Sequence, residues 1–234
     1  MGSLEGGYKS DTLSDLFSNL FPPSVTVRAA TLPIHDTELW DSELPGTERM
    51  VPKRLREFVA GRSVARWAIA DLGEPVVAIP RDGDRTPIWP DGVVGSITHC
   101  DGLCAAAVAR VEEVMALGLD AEPASPLPPD LYSTVCTAME LQYLEALPPP
   151  PAADWLKIVF SAKESYYKAW FPLTRTPLDF TEVEVHLDPA TSRFTIEVDP
   201  QMASVAPWSA TASGTFRVNQ DFVATGVVVP PVGP

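Results

Sequence analysis

The chain has 234 residues, 45% hydrophobic and 21% charged, which suits one large domain or two small lobes with a real core and excludes wholesale disorder. A formal charge of −14 argues against nonspecific nucleic-acid binding, which needs a cationic footprint, but leaves room for a local basic patch. Three cysteines are too few for a disulfide scaffold, no apolar run reaches the ~18 residues of a membrane span, and the N-terminus lacks the basic-then-apolar order of a signal peptide, so the expectation is a cytoplasmic protein.

The Gly- and Ser-containing opening, residues 1–15, reads as a mobile arm, and a short helix is expected near Leu13–Leu20 before Pro22-Pro23. The rest of residues 1–45 is loosely patterned. Leu55, Phe58, Val59, Ala65, Ile69 and Leu72 recur at helical spacing over 52–72, with Pro52 in the first turn, Gly73 as a stop, and a basic solvent side of Lys53, Arg54, Arg56, Arg62 and Arg66. After a Gly/Pro-rich loop (81–92), apolar runs at 93–98, 103–109 and 114–119 have strand lengths. Thr137 and Glu140 form a capping box for a helix to about 147, and Asp154 caps a helix to about Phe171. Period-two alternation over 183–187 and 194–198, then apolar runs at 211–218 and 222–229, predict a closing β-meander. The order helix, strands, helices, strands gives an α+β fold in two lobes, 1–115 and 116–234.

Two features carry chemistry. Asp120 and Glu122 end a strand and project from one face, because residues i and i+2 of a strand point the same way. Like charges that close repel, and a hard cation such as Mg²⁺ relieves the repulsion; a solvated strand end is the plainer alternative. On the helix 154–171, Trp155, Ile158, Val159, Ala162, Tyr166 and Ala169 face a core. Lys157, Ser161, Glu164 and Lys168 line the opposite side, where Glu164 and Lys168, one turn apart, can pair. A third carboxylate near Asp120 and Glu122 would complete a hard-cation site.

Three blocks, Val94-Gly-Ser-Ile-Thr-His-Cys100, Leu117-Gly-Leu-Asp-Ala-Glu122 and Phe160-Ser-Ala-Lys-Glu-Ser-Tyr-Tyr-Lys-Ala-Trp170, together resemble the large, monomeric class of 4'-phosphopantetheinyl transferases, especially its actinobacterial branch. The resemblance covers roughly residues 47–175. It implies two similar α/β lobes related by a pseudo-twofold axis, with the active site in the cleft between them. The family's metal triad carries over onto Asp120, Glu122 and Glu164, for Mg²⁺ with Mn²⁺ as a substitute, and coenzyme A is the implied substrate. Thr98 and His99 fall on the pyrophosphate, His99 also among the catalytic residues. Lys163 and Lys168 fall among the coenzyme A ligands, Lys168 also steadying the transferring phosphate. Arg54, Arg62 and Arg81 match the positions that hold the 3'-phosphate, where a guanidinium fork suits a phosphate; Arg85 lies in the same loop outside the family's spacing. The implied reaction is transfer of phosphopantetheine to a serine of acyl or peptidyl carrier proteins of fatty-acid, polyketide or nonribosomal-peptide synthases, releasing 3',5'-ADP. Glu164 or Glu122 would take the serine proton. The segment Trp170–Thr174 is a candidate carrier contact.

His99, Cys100 and Cys104 lack a fourth zinc ligand, and the cysteines alternate with apolar residues, so buried thiols are the reading there. Two other functions would use the same residues. One is a Mg²⁺-dependent phosphohydrolase of a nucleotide-like substrate; the other is a non-catalytic binding module for carrier proteins or coenzyme A.

Overall fold

The computed structural model describes residues 10–35, 37–150, 152–206 and 211–231. The first nine residues of the expected N-terminal arm lie outside them. Helix α1 (Ser10–Phe17) begins and ends about three residues before the expected helix, and is followed by a strand that the loose pattern did not announce, β1 (Val25–Thr31). Helix α2 (Pro52–Leu72) leads to strands β2 (Val93–Cys100) and β3 (Leu103–Arg110). Strand β1 pairs with β3 along its whole length, giving a three-stranded antiparallel sheet ordered β1-β3-β2.

The second half runs β4 (Ala116–Pro123), α3 (Tyr132–Val135), α4 (Ala138–Glu145), α5 (Trp155–Thr174), β5 (Val183–Asp188), β6 (Arg193–Val198), α6 (Pro200–Ala203), β7 (Thr211–Val218) and β8 (Phe222–Val229). Its five strands form a second antiparallel sheet ordered β4-β8-β7-β6-β5. The fold is α+β, as expected.

Packing follows from side-chain alternation. Strand β3 (LCAAAVAR) is buried on both faces: Cys104, Ala106 and Val108 meet Val64, Ala68 and Ile69 of α2, while Leu103, Ala105, Ala107 and Ala109 join α1 and the odd residues of β4. Alanines let both neighbours approach closely. Helix α5 lays Trp155, Ile158, Val159, Ala162 and Tyr166 of the foreseen apolar stripe, joined by Trp170, on Val185, Phe194, Ile196, Val223 and Val227, while Ala169 packs separately with Ala116 and Val229. Gly73, at φ +82°, closes α2: its N–H donates to the Ala70 carbonyl (3.1 Å) and that of Glu74 to the Ile69 carbonyl (3.2 Å), a Schellman-type end. Thr137 and Glu140 form the reciprocal capping box expected of α4.

Three expectations are corrected. The solvent face of α2 is basic only at Lys53, Arg54 and Arg56. Arg66 is buried and bonded through Nη1 to both oxygens of Glu43 at 2.7 and 2.6 Å, and Arg62 is 4% exposed. Helix α5 does not stop at Phe171 but passes through Pro172 to Thr174, where Arg175 caps it at φ +54°. Lys163, expected to bind coenzyme A, is a buried fastener. Its ammonium donates to the carbonyls of Val135 (2.9 Å) and Phe180 (2.8 Å) and to Glu140 Oε2 (2.7 Å), using all three of its protons. Glu140 also accepts the N–H groups of Thr137 and Val185, so one ion pair ties α5 to α3, α4 and β5.

Removing one partner strands a buried charge. Lys163→Met should therefore cost about 3–5 kcal/mol in urea unfolding, and adding Glu140→Leu should recover only part of that loss, because the Thr137 and Val185 N–H groups then lose their acceptor.

Candidate functional site

The site forms where β4, β2, α5 and α2 meet. Strand β4 turns its odd residues to the core and its even residues (Gly118, Asp120, Glu122) to α5. A Cβ on Gly118 would stand 1.7 Å from the Ser165 carbonyl oxygen and 3.1 Å from Ala169 N. Helix backbone therefore rests on strand backbone at that point, which only glycine permits. That contact brings the polar stripe of α5 onto the carboxylates. Lys168 Nζ donates to Asp120 Oδ1 (2.7 Å), Ser161 Oγ to Asp120 Oδ2 (2.8 Å), and Lys157 Nζ lies 3.7 Å from Glu122 Oε2. Lys168 thus pairs with Asp120, where the sequence suggested Glu164.

Strands β2 and β4, edge strands of different sheets, are joined by hydroxyls in place of a ladder. Ser96 Oγ accepts from Leu119 N (3.0 Å), and Thr98 Oγ1 accepts from Ala121 N (3.2 Å). Thr98 also gives its own proton to Asp120 Oδ1 (3.1 Å) and accepts from Lys168 (3.3 Å). One donor and two acceptors are all a hydroxyl has. Thr98, expected on a pyrophosphate, is buried and spent on joining the two sheets and orienting Asp120. Ser96 was missed, although two hydroxyls at i and i+2 of one strand signal a shared face.

Among the described residues no three of His, Cys, Asp and Glu converge as they stand to hold a metal ion. The three carboxylates nevertheless feel one another. Glu122 is pushed up to about 7, by burial first, then by the charge of Asp120, with Glu164 adding to it and Lys157 and Lys168 opposing. Glu164 is raised above the ordinary range by burial, with Asp120 contributing and Lys168 opposing. Desolvated, mutually repelling oxygen donors are the chemistry that a hard divalent cation fits.

Beside this cluster opens a cavity of about 1060 Å³. His99, Lys168, Arg54, Arg62 and Arg81 all line it, as do Tyr167 and Phe171, whose rings stack at 5.5 Å. Arg62 and Arg81 both lie against the Phe58 ring, 4.5 and 5.3 Å from its centroid. Gly46, at φ +79°, leaves room for the Arg81 guanidinium, which a Cβ there would meet at 2.5 Å. Burial, together with Arg81, Arg66 and Arg54 nearby and against the pull of Glu43, lowers Arg62 to about 10. Its buried Nε has no hydrogen-bond partner among the described residues. A buried, under-satisfied guanidinium facing a cavity is built for an anion. His99 is held below its usual range by burial, then by Arg54, and so is neutral near pH 7. Arg85 lines the same cavity. Trp170 is fully buried and is no surface contact, while Phe171 and Pro172 line the cavity and Leu173 is exposed. Cys104 and Cys136 are buried thiols pushed up to about 12 by burial; Cys100 is half-buried and pushed up equally.

A cavity lined by Arg54, Arg62, Arg81 and Lys168, with a carboxylate cluster behind Lys168, has the chemistry to receive a phosphorylated ligand. Residues 43–109 match the 4'-phosphopantetheinyl transferase N-terminal domain and residues 116–224 the 4'-phosphopantetheinyl transferase superfamily. The chain is 36% identical over 193 residues to the 4'-phosphopantetheinyl transferase PptT of Mycobacterium tuberculosis, covering 80% of this chain and 84% of the relative. It is 45% identical over 158 residues to Svp of Streptomyces mobaraensis and 44% over 137 residues to Npt of Nocardia iowensis, both 4'-phosphopantetheinyl transferases. Those two matches cover 67% and 58% of this chain and span 64% and 61% of the relatives' lengths. The chain belongs to the 4'-phosphopantetheinyl transferase superfamily.

The close approach at Gly118 is testable. Gly118→Ala must lift α5 from β4, and should cost more than the ~1–3 kcal/mol of ordinary overpacking in urea unfolding. A loss below about 0.5 kcal/mol would show the contact to be soft.

Proposed function

We propose that this protein transfers the 4'-phosphopantetheine group of coenzyme A to a serine of acyl or peptidyl carrier proteins, leaving 3',5'-ADP. The observation that carries the reading is one cavity walled by an under-satisfied buried arginine, Arg62, and by Lys168, whose ammonium is paired with Asp120 of the desolvated carboxylate cluster beside the cavity. Coenzyme A has anionic groups to match the arginines and Lys168, a 3'-phosphate and a pyrophosphate. Arg62, with Arg81 and Arg54, takes the 3'-phosphate. Lys168 and His99 face the pyrophosphate, and Lys168 is released from Asp120 to offset charge on the transferring phosphorus.

Asp120, Glu122 and Glu164 would hold Mg²⁺, with Mn²⁺ as a substitute; when bound, the cation neutralises phosphate charge and favours departure of 3',5'-ADP. The proton of the attacking serine passes to Glu122 or Glu164, both desolvated carboxylates titrating above their ordinary range. The relatives' names favour transfer over the phosphohydrolase and binding-module readings. The carriers belong to fatty-acid, polyketide or nonribosomal-peptide synthases, and the enzyme works as a cytoplasmic monomer. No helix among the described residues is long and apolar enough to cross a membrane. We further propose a division at 115/116 into two lobes. The separate sheets and the two family matches, ending at 109 and starting at 116, support it.

Incubating apo carrier protein with coenzyme A and Mg²⁺ should add the phosphopantetheine mass; no gain with any of several carriers sinks the reading. Arg62→Ala should raise KM for coenzyme A by ~10- to 100-fold with little change in kcat, as loss of a charge-assisted phosphate contact demands. The folded-state value of Glu122 lies above its unfolded 4.5, so its contribution is fully present below pH 4.5 and lost as pH rises through about 7. Mg²⁺ should therefore raise Tm more at pH 8 than at pH 5, and Glu122→Gln should shrink that difference, leaving the part that Glu164 supplies. Equal shifts at both pH values would count against the carboxylates as the cation's ligands.

A further inference from the structure

Glu57 is a carboxylate in the wall of the anion-binding cavity, where its charge opposes the ligand. Its surroundings give it a task. On α2 it stands one turn after Arg54, and its Oε2 lies 3.7 Å from Arg54 Nη1 and 3.7 Å from Nδ1 of His99 on β2. Arg54 Nη1 in turn meets Nε2 of His99. A guanidinium has only donors, so Nε2 meets it with its lone pair. The proton of the neutral ring then sits on Nδ1, the nitrogen that faces Glu57. The other charges around the ring are Lys168 from α5 and Asp120 from β4. Neither explains the carboxylate on the α2 side.

We propose that Glu57 is a positioning residue: it holds the His99 ring with Nδ1 toward α2 and Nε2 on the Arg54 side, and keeps the Arg54 guanidinium beside that nitrogen. Both phosphate-facing groups are then set before the ligand arrives. Glu57 acts through these two side chains and does not touch the reacting atoms. The identity of the anion rests on the coenzyme A reading; the triangle of Glu57, His99 and Arg54 does not.

The test is a mutant cycle with a spectroscopic check. Glu57→Ala should lower kcat/KM for coenzyme A by ~10- to 100-fold, the scale of misplaced binding groups. In an Arg54→Ala, His99→Ala background the same change should cost no more than about 2-fold, because both side chains through which it acts are already absent. Glu57→Gln keeps the size of the side chain and carries the test if Glu57→Ala does not fold. In ¹⁵N spectra of the wild type, His99, one of three histidines, should be neutral and protonated on Nδ1, and that pattern should change in Glu57→Gln. Wild-type kcat/KM in the Glu57 variants, an equal loss in both backgrounds, or an unchanged His99 pattern would each overturn the proposal. If the wild type transfers nothing, the function proposed above fails, and the ¹⁵N pattern alone still decides the role of Glu57.

Discussion

Everything at the site depends on how closely α5 lies on β4, and that distance is set by a missing side chain. At Gly118 the helix carbonyl of Ser165 occupies the place of a Cβ. Because the helix touches the strand there, side chains one turn to either side reach its carboxylates. Ser161 and Lys168 bond Asp120 directly, and Lys157 approaches Glu122. The stripe read as Lys157, Ser161, Glu164 and Lys168 is therefore an inner face of the molecule. Its charges can be held there only because β4 supplies opposite ones.

The electrostatics show how a protein of net charge −14 can take up a polyanion. Local order outweighs the total. Buried Glu43 bonds Arg66 and its charge favours Arg62, but Arg81, Arg66 and Arg54 oppose it and the buried Nε of Arg62 has no hydrogen-bond partner among the described residues. Beyond Lys168, which lines the cavity and answers Asp120, Glu122 and Glu164 remain under-compensated. The arginines and the carboxylates are tense in opposite senses. A ligand with phosphates along its length and a cation at one end relaxes both together.

Periodicity made much of this legible. The ends of α2, β7 and β8 coincide with their patterns because burial, caps and turns agree there. Strand β1 was not legible: VTVRAAT alternates weakly and is a strand because β3 needs a partner on that edge. The last turn of α5 was hidden by Pro172, whose missing N–H removes one helix bond without ending the helix. At the site, charged residues stood out as types that are expensive to bury. What each of them touches did not, since it depends on residues far away in sequence. Lys163 and Lys168 are equally lysines of one motif, yet one faces the Glu140 pocket and the other Asp120.

The hydroxyls of β2 carry that lesson furthest. Ser96 and Thr98 sit in a block that resembles a ligand-binding motif, but their bonds run to the backbone of β4. They replace a strand ladder between two sheets whose edges would otherwise leave polar groups unmet. Thr98 does this with the same oxygen that orients Asp120. The carboxylate site and the seam between the sheets are thus one hydrogen-bonded unit. Neither half of the chain could hold Asp120 in this orientation alone: Thr98 comes from the first sheet, Ser161 and Lys168 from the helix on the second. A motif residue can be indispensable to chemistry by joining the parts that bind the ligand, without binding it.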